Sequence, residues 1–166
     1  MRIELPLSEA ITLARSQGVI PPFVDGIRVQ GSTVHLQVDA GQVMGTSGGL
    51  GRFIGGLAGK VPVSATFTGW ADGVATVTVR AESRGIPLHR FMPLVEGQIR
   101  QRLRAQGLPD GAVDFRTGAD DPVVAVDVRR LLASKVAGVV VTDLRLVDGT
   151  LHVTAALDPA VPFRLL

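Results

Sequence analysis

The sequence predicts an α+β fold, in which an antiparallel, hairpin-rich sheet is covered on one side by about three helices. Three observations lead to this prediction. Several segments alternate apolar and polar residues on both sides of a glycine-containing turn, as β-hairpins do. Other segments carry apolar residues at helical spacing, and two parts of the chain resemble each other, which indicates an internal repeat.

The repeat becomes visible when the chain is shifted by 117 positions, which lays residues 27–38 over residues 144–155 without a gap. Identical residues then coincide, namely Arg28 with Arg145, Thr33 with Thr150, and His35 with His152. In both copies an alternating segment reaches a glycine-containing turn, at 31–32 or at 148–149, and then alternates again. Each copy is therefore predicted to be a tight hairpin with one apolar face.

A similar segment precedes each hairpin. Residues 3–5 resemble a short strand and run into apolar residues at helical spacing, which Gly18 ends. Residues 124–126 do the same, and the helix that follows them is predicted to include Val136 and to stop at Gly138. The predicted unit is thus β-α-β-β, used twice, in halves of about 1–40 and 122–158. Chance similarity between two short amphipathic hairpins is the alternative.

A third hairpin and the longest helix lie between the two halves, at 61–107. The hairpin alternates on both sides of an Asp-Gly turn at 72–73, beside Trp70, the one tryptophan of the chain. Downstream, apolar residues at helical spacing run from Leu88 to Leu103, with Pro93 among them. Because proline is best tolerated in a first turn, we expect the continuous helix to begin near Pro93, after a separate turn or kink.

One further short strand is predicted at 113–117, within a polar stretch. The total is then about eight or nine strands, and we predict that residues 1–166 form a single domain, since this length suits one hydrophobic core.

Composition excludes several classes of function. The 17 basic and 15 acidic residues are interspersed, and aromatic residues make up only 4%, so both a basic face and stacking surfaces for nucleic acid are lacking. No cysteine is present, and no cofactor-binding motif is found, so we expect neither a disulfide nor a cofactor. The start of the chain has no export signal and no apolar run suits a spanning helix, which predicts a cytoplasmic protein, at most peripheral to a membrane.

The segment 41–60 is the most unusual of the chain, with eight of its 20 glycines. A phosphate-binding loop is excluded because Ile54 stands where such a loop needs glycine. The spacing of its apolar residues is helical instead, and the side chains concerned are Leu50, Phe53, Ile54 and Leu57, with Arg52 and Lys60 beside them. Three glycines cost such a helix about 3 kcal/mol, whereas burying each large side chain returns about 2 kcal/mol.

This glycine segment should therefore be helical only when something covers it. Three interpretations stay open: a mobile or self-packed loop, a contact with lipid or another apolar ligand, and a contact between subunits.

Two further groups of residues suit a binding or chemical role. Arg100, Arg102 and Arg104 give the end of the long helix a positive face, which either offsets nearby aspartates and the helix dipole or binds an anion. His35 and His152 occupy matching places in the two copies, so a metal or proton-transfer site is conceivable if the copies meet. Solvated histidines on a strand face are the alternative. No motif for a nucleophilic enzyme is present.

The order of the elements, in which hairpins with one apolar face alternate with apolar-striped helices around an internal duplication, resembles that of tubular lipid-binding proteins. These include a small bacterial phospholipid-binding family with long curled sheets, and the resemblance covers roughly residues 25–157. It implies an apolar cavity between sheet and helices, with the glycine segment as a gate or membrane contact.

The leading hypothesis is therefore a non-enzymatic protein that binds a lipid, another hydrophobic molecule or a membrane surface. The first alternative is a structural protein that forms a homo-oligomer through hairpin edges and the glycine segment. The second is a metal enzyme that uses His35 and His152.

Overall fold

A computed structural model describes residues 1–45, 59–82, 88–116, 118 and 120–166, which form a mixed α+β fold. The helices within these residues are α1 (Leu7–Ser16), α2 (Ala40–Gly45), α3 (Leu88–Ala105) and α4 (Val128–Ala133). The strands are β1 (Arg2–Pro6), β2 (Val24–Gln30), β3 (Thr33–Asp39), β4 (Lys60–Ala71), β5 (Val74–Ala81), β6 (Val113–Arg116), β7 (Val123–Asp127), β8 (Val136–Ala137), β9 (Val139–Val147), β10 (Thr150–Leu157) and β11 (Arg164–Leu165).

These strands form three antiparallel sheets. The largest has the order β2-β3-β4-β5-β7-β6, the second β1-β10-β9, and the third is the short pair β11-β8. The predicted antiparallel, hairpin-rich α+β class is thus confirmed, but the strands divide between two main sheets where one was expected. In the second sheet β1 pairs with β10 of the β9–β10 hairpin, whereas the other two hairpins belong to the larger sheet.

All three predicted hairpins are present, as β2–β3, β4–β5 and β9–β10. The two Asp-Gly turns have positive φ at both central residues, 51° and 80° at 72–73, and 47° and 73° at 148–149. This is the backbone of the two-residue hairpin turn, and it explains why glycine stands at the second position. The hairpins are therefore encoded by their local sequence.

The predicted helix α1 is present, and its inward residues are half-buried at helical spacing: Leu7, Ala10, Ile11 and Ala14. Helix α4 runs from Val128 to Ala133 and is capped by Asp127, whose carboxylate accepts the backbone N–H of Arg130 at 2.9 Å. The prediction that this helix includes Val136 is wrong, because Val136 lies in β8 opposite Leu165. Pairing with β11 satisfies the backbone of this segment as a strand.

The prediction that the long helix begins near Pro93 is also wrong, because α3 is continuous from Leu88 and has Pro93 inside it. Proline removes a single N–H from the helix. The half-buried side chains of Met92, Val95 and Ile99 continue one apolar stripe past this point, and burial of the stripe offsets the missing hydrogen bond. Helix α2, at the start of the glycine segment, was not predicted.

The buried residues form two clusters. In one, Ala40 of α2 packs with Val61 and Val63 of β4. In the other, Ala75 of β5 packs with Val141 and Leu144 of β9, so that the two main sheets face each other there. At this place a second sheet covers the apolar face that helices alone were expected to cover.

Candidate functional site

The cluster between the two main sheets is the candidate site, and we call it the intersheet cluster. Its buried centre is Ala75, Val141 and Leu144. Around the centre lie half-buried apolar side chains from both sheets and from α4, namely Phe67, Trp70, Val126, Val128, Leu132, Leu151 and Val153. Its lining is therefore apolar, with two aromatic rings at one side.

A β-bulge in β4 brings both aromatic rings to the intersheet cluster. Phe67 lies opposite Val77, whereas Trp70 lies opposite Ala75, and the register shifts between residues 67 and 69. In a regular strand, residues three apart point to opposite faces. The extra residue of the bulge places Phe67 and Trp70 on the same face. This arrangement could not be read from the alternating pattern of the sequence.

The long helix α3 contacts the edge strand β6 and the connection between α1 and β2. The Nη1 atom of Arg102 donates to the carbonyl of Gly18 at 2.9 Å, in the connection that leads to the edge strand β2. Two residues earlier, Arg100 lies 4.0 Å from Asp114 of the opposite edge strand, β6. One end of α3 thus lies between the edge strand β6 and the connection that precedes β2.

All three arginines that were predicted to contact an anion have partners inside the protein. Arg100 pairs with Glu96 at 2.6 Å, and Arg104 pairs with Asp110 at 2.6 Å. Hydrogen bonding and attraction between the latter two raise the pKa of the Arg104 guanidinium and lower the pKa of the Asp110 carboxyl. The arrangement corresponds to the predicted alternative in which this face offsets nearby aspartates. Binding of an external anion stays a prediction.

Of the residues predicted in the glycine segment, only Lys60 lies within the described part of the chain, at the start of β4. Its ammonium donates to Asp25 at 2.6 Å, and this hydrogen bond raises the pKa of Lys60 and lowers that of Asp25. Asp39 lies nearby, and hydrogen bonds from Gln42 lower the pKa of its carboxyl. The other predicted contacts lie outside the described residues: Leu50, Arg52, Phe53, Ile54 and Leu57.

The two main sheets also meet at their hairpin turns, beside α1. The N–H of Gly149 donates to the carbonyl of Gly31 at 3.0 Å, and the carbonyl of Gly149 accepts from Leu7, the first residue of α1. An open cleft of about 530 Å³ lies here between α1, β2 and the second turn. Its lining is mixed, since Ile11 and Val29 lie beside Arg15 and Asp148.

His35 and His152 have separate carboxylate partners. The Nδ1 atom of His35 contacts Glu82, just after β5, and Nδ1 of His152 lies 3.4 Å from Glu4 of β1. Each histidine is opposite an arginine in its own hairpin, Arg28 or Arg145. Within the described residues no three His, Cys, Asp or Glu side chains come together as metal ligands do. The structure thus places the two imidazoles against two different carboxylates.

The sequence interpretation missed both glutamates. Glu4 is one of the polar residues that alternate with apolar ones in β1. It lies opposite His152, but the sequence does not reveal this without the pairing of β1 with β10. Glu82 lies beyond the last residue of β5 and carries no local signal. Both partners depend on pairings between distant parts of the chain.

No helix in the part of the chain that the structure describes is long and apolar enough to cross a membrane. No protein-family model, curated protein or solved structure matches the chain.

Proposed function

We propose that this protein is a non-enzymatic binding protein, which holds a lipid or another hydrophobic ligand at the intersheet cluster. One observation carries the proposal: the cluster has three buried members, whereas the larger apolar side chains around them, including Phe67 and Trp70, stay half-buried. The apolar faces of the two sheets therefore contact each other, but part of their apolar surface stays exposed to water.

Completing this burial is favourable. Removing apolar surface from water contributes about 25 cal/mol per Å², and an acyl chain contributes about 0.8 kcal/mol for each methylene it buries. An elongated apolar ligand is the partner that such a surface favours.

The proposal includes the internal duplication and the resemblance to tubular lipid-binding proteins. In support, the 117-residue shift that aligns the sequences also relates Arg28 opposite His35 to Arg145 opposite His152. The same shift relates the last cross-strand pair before the first turn, Gln30 with Thr33, to the last pair before the second turn, Val147 with Thr150. A cytoplasmic location, peripheral to a membrane, stays a prediction.

Trp70 provides a direct test, because it is the only tryptophan and belongs to the intersheet cluster. A brominated fatty acid should quench Trp70 fluorescence saturably, and the unbrominated fatty acid should reverse the quenching by competition. Native mass spectrometry of the purified protein should show a monomer carrying a few hundred daltons of extractable apolar material. Absence of both quenching and bound material would overturn the proposal.

A matched pair of variants locates the ligand. Val153 belongs to the intersheet cluster, whereas its neighbour Thr154 faces the other side of β10, opposite Arg2. Val153→Gln should weaken fatty-acid binding at least about tenfold, since a polar amide is costly to bury beside an apolar chain. Thr154→Gln should bind like the wild type. Equal binding by the two variants would place the ligand elsewhere, and circular dichroism verifies that both are folded.

The glycine segment remains part of the proposal as a gate or membrane contact. Phe53→Asp together with Leu57→Asp places two charges on its apolar face. We expect slower ligand uptake or weaker vesicle binding from this variant. If uptake, vesicle binding and oligomeric state all stay unchanged, the segment is only a connection.

A homo-oligomer is the second proposal, and the edge strand β1 favours it. Among the strands that the structure describes, β1 pairs with β10 alone, and its Ile3 is exposed. Such an edge can add a strand from another copy. A discrete oligomer without bound ligand in native mass spectrometry would support this function in place of ligand binding.

A further inference from the structure

The segment 157–166, which we call the C-terminal strap, exposes large apolar side chains. It runs past β8 and Gly138, pairs with β8 through β11, and donates from Leu166 to the carbonyl of Lys135. Phe163 is 61% exposed and Leu165 is 73% exposed. Leu157, Val161 and Leu166 are exposed as well. Five exposed large apolar side chains so close together along the chain make the strap a candidate interaction surface.

Positive charge accompanies these apolar side chains. Arg164 stands between Phe163 and Leu165 in the sequence, and the backbone carbonyl of Lys135 accepts the N–H of Leu166 at 2.9 Å. Neither cation has an ion pair with any residue that the structure describes. The strap contains one acidic residue, Asp158, and its carboxylate accepts the N–H of Ala160 at 2.9 Å. The surface therefore suits a partner that is apolar within and anionic at its boundary.

The backbone of the strap argues against a partner that adds a strand. β11 has two residues, and Pro159 and Pro162 lack an N–H group. The strap therefore offers its side chains. Arginine and lysine next to exposed Phe and Leu match the water interface of a bilayer, where the rings and alkyl chains enter the hydrocarbon and the cations stay at the headgroups.

We propose that the C-terminal strap, with Lys135, docks this protein on a membrane surface that carries anionic headgroups. The inference extends the proposed function, because it names where a lipid-binding protein would meet its source of lipid. It does not rest on the glycine segment, since the residues that carry it are Lys135 and residues 157–166.

Co-sedimentation with lipid vesicles tests the apolar contribution. The wild type should bind vesicles of phosphatidylcholine with phosphatidylglycerol more tightly than vesicles of phosphatidylcholine alone. Phe163→Ser with Leu165→Ser should lower this affinity at least about tenfold. As a control, Leu13→Ser with Val147→Ser removes exposed apolar groups from α1 and β9 and should bind like the wild type.

The charges are tested in the same assay. Lys135→Gln with Arg164→Gln should weaken binding to phosphatidylglycerol vesicles about thirtyfold, since each cation near such a surface contributes about fivefold. Arg15→Gln with Arg28→Gln changes the net charge equally but lies on α1 and β2, and we expect a loss of about threefold or less. Added salt should abolish the difference between the two charge variants.

A second measurement remains informative if a strap variant is poorly folded. In a Trp70→Phe background, Phe163→Trp places the only tryptophan on the strap. Its emission should shift to shorter wavelength on phosphatidylglycerol vesicles. An unshifted emission, or strap variants that bind vesicles like the wild type, would overturn the docking inference.

The remaining outcomes separate this inference from the proposed function. Quenching of Trp70 by fatty acid without vesicle binding would overturn docking and leave ligand binding intact. Vesicle binding through the strap without quenching of Trp70 would overturn ligand binding and leave docking intact. A dimer that the strap variants abolish, together with an absence of vesicle binding, would assign the surface to a second copy and overturn docking.

Discussion

The hairpins β2–β3 and β9–β10 have nearly the same local plan and different surroundings. A shift of 117 residues relates their turns and their cross-strand pairs of arginine and histidine. Yet β3 pairs with β4 in the larger sheet, whereas β10 pairs with β1 in the second sheet. Leu144, on β9, is 8% exposed in the intersheet cluster, while Ile27, its counterpart on β2, is half-buried. The local sequence thus determines that a hairpin forms, whereas the strands beside the hairpin determine which of its side chains are buried.

The largest expected effect comes from truncating these two counterparts. Leu144→Ala should lower the free energy of unfolding by about 3 kcal/mol, because it leaves a cavity at a buried position. Ile27→Ala should cost about 1 kcal/mol, since solvent already reaches that side chain. Urea denaturation of both variants measures the difference. Equal losses would show that the two hairpins are equally buried and would break the comparison.

The two turns should differ by a smaller amount. Gly31 and Gly149 have φ of 58° and 73°, so alanine at either position costs about 1 kcal/mol. A Cβ at residue 149 would also lie 3.3 Å from Val29, whereas a Cβ at residue 31 has open space around it. Gly149→Ala should therefore be the more destabilising by about another 1 kcal/mol. A thermal denaturation series in which Gly31→Ala is the worse variant contradicts this.

The histidine ion pairs give a weaker contrast. A double-mutant cycle on His35 and Glu82 should yield a coupling energy below about 1 kcal/mol, as is usual for partly exposed pairs. The cycle on His152 and Glu4, whose atoms lie farther apart at 3.4 Å, should yield less. A stronger coupling in the second pair would reverse the order proposed here.

The smallest expected difference between the two hairpins is in how they contribute to stability at acidic pH. The pKa of Asp25 is lowered from its ordinary value of 3.8, mainly by the hydrogen bond from Lys60. Ionised Asp25 therefore contributes to stability above about pH 4, and this contribution is lost as the pH falls through the lower value of the folded state. The counterpart of Asp25 is the uncharged Thr142. Asp25→Asn should be slightly less stable at neutral pH and should lose less stability than the wild type below about pH 4; parallel pH curves would contradict this.

The elements that could be predicted from the sequence are those with local causes. Alternation around Asp72–Gly73 and Asp148–Gly149 predicted hairpins, and the spacing of Leu7, Ala10 and Ile11 predicted α1. The intersheet cluster was not predicted, because it depends on the pairing of β1 with β10 and on the bulge beside Phe67. Neither leaves a periodic signal in the sequence. Val136 was assigned to a helix because its partner in β11 is distant along the chain.

The pairing of residues 2–6 with residues 150–154 has a consequence for how the chain folds. During synthesis β1 is made before β10, so it cannot pair until residues 150–154 have been made. Closing so long a loop is slow, so the last event of folding should be the capture of β1 by a preformed β9–β10 hairpin. Until then Ile3 and Leu5 are open to aggregation, and a chaperone would have its longest opportunity to bind there.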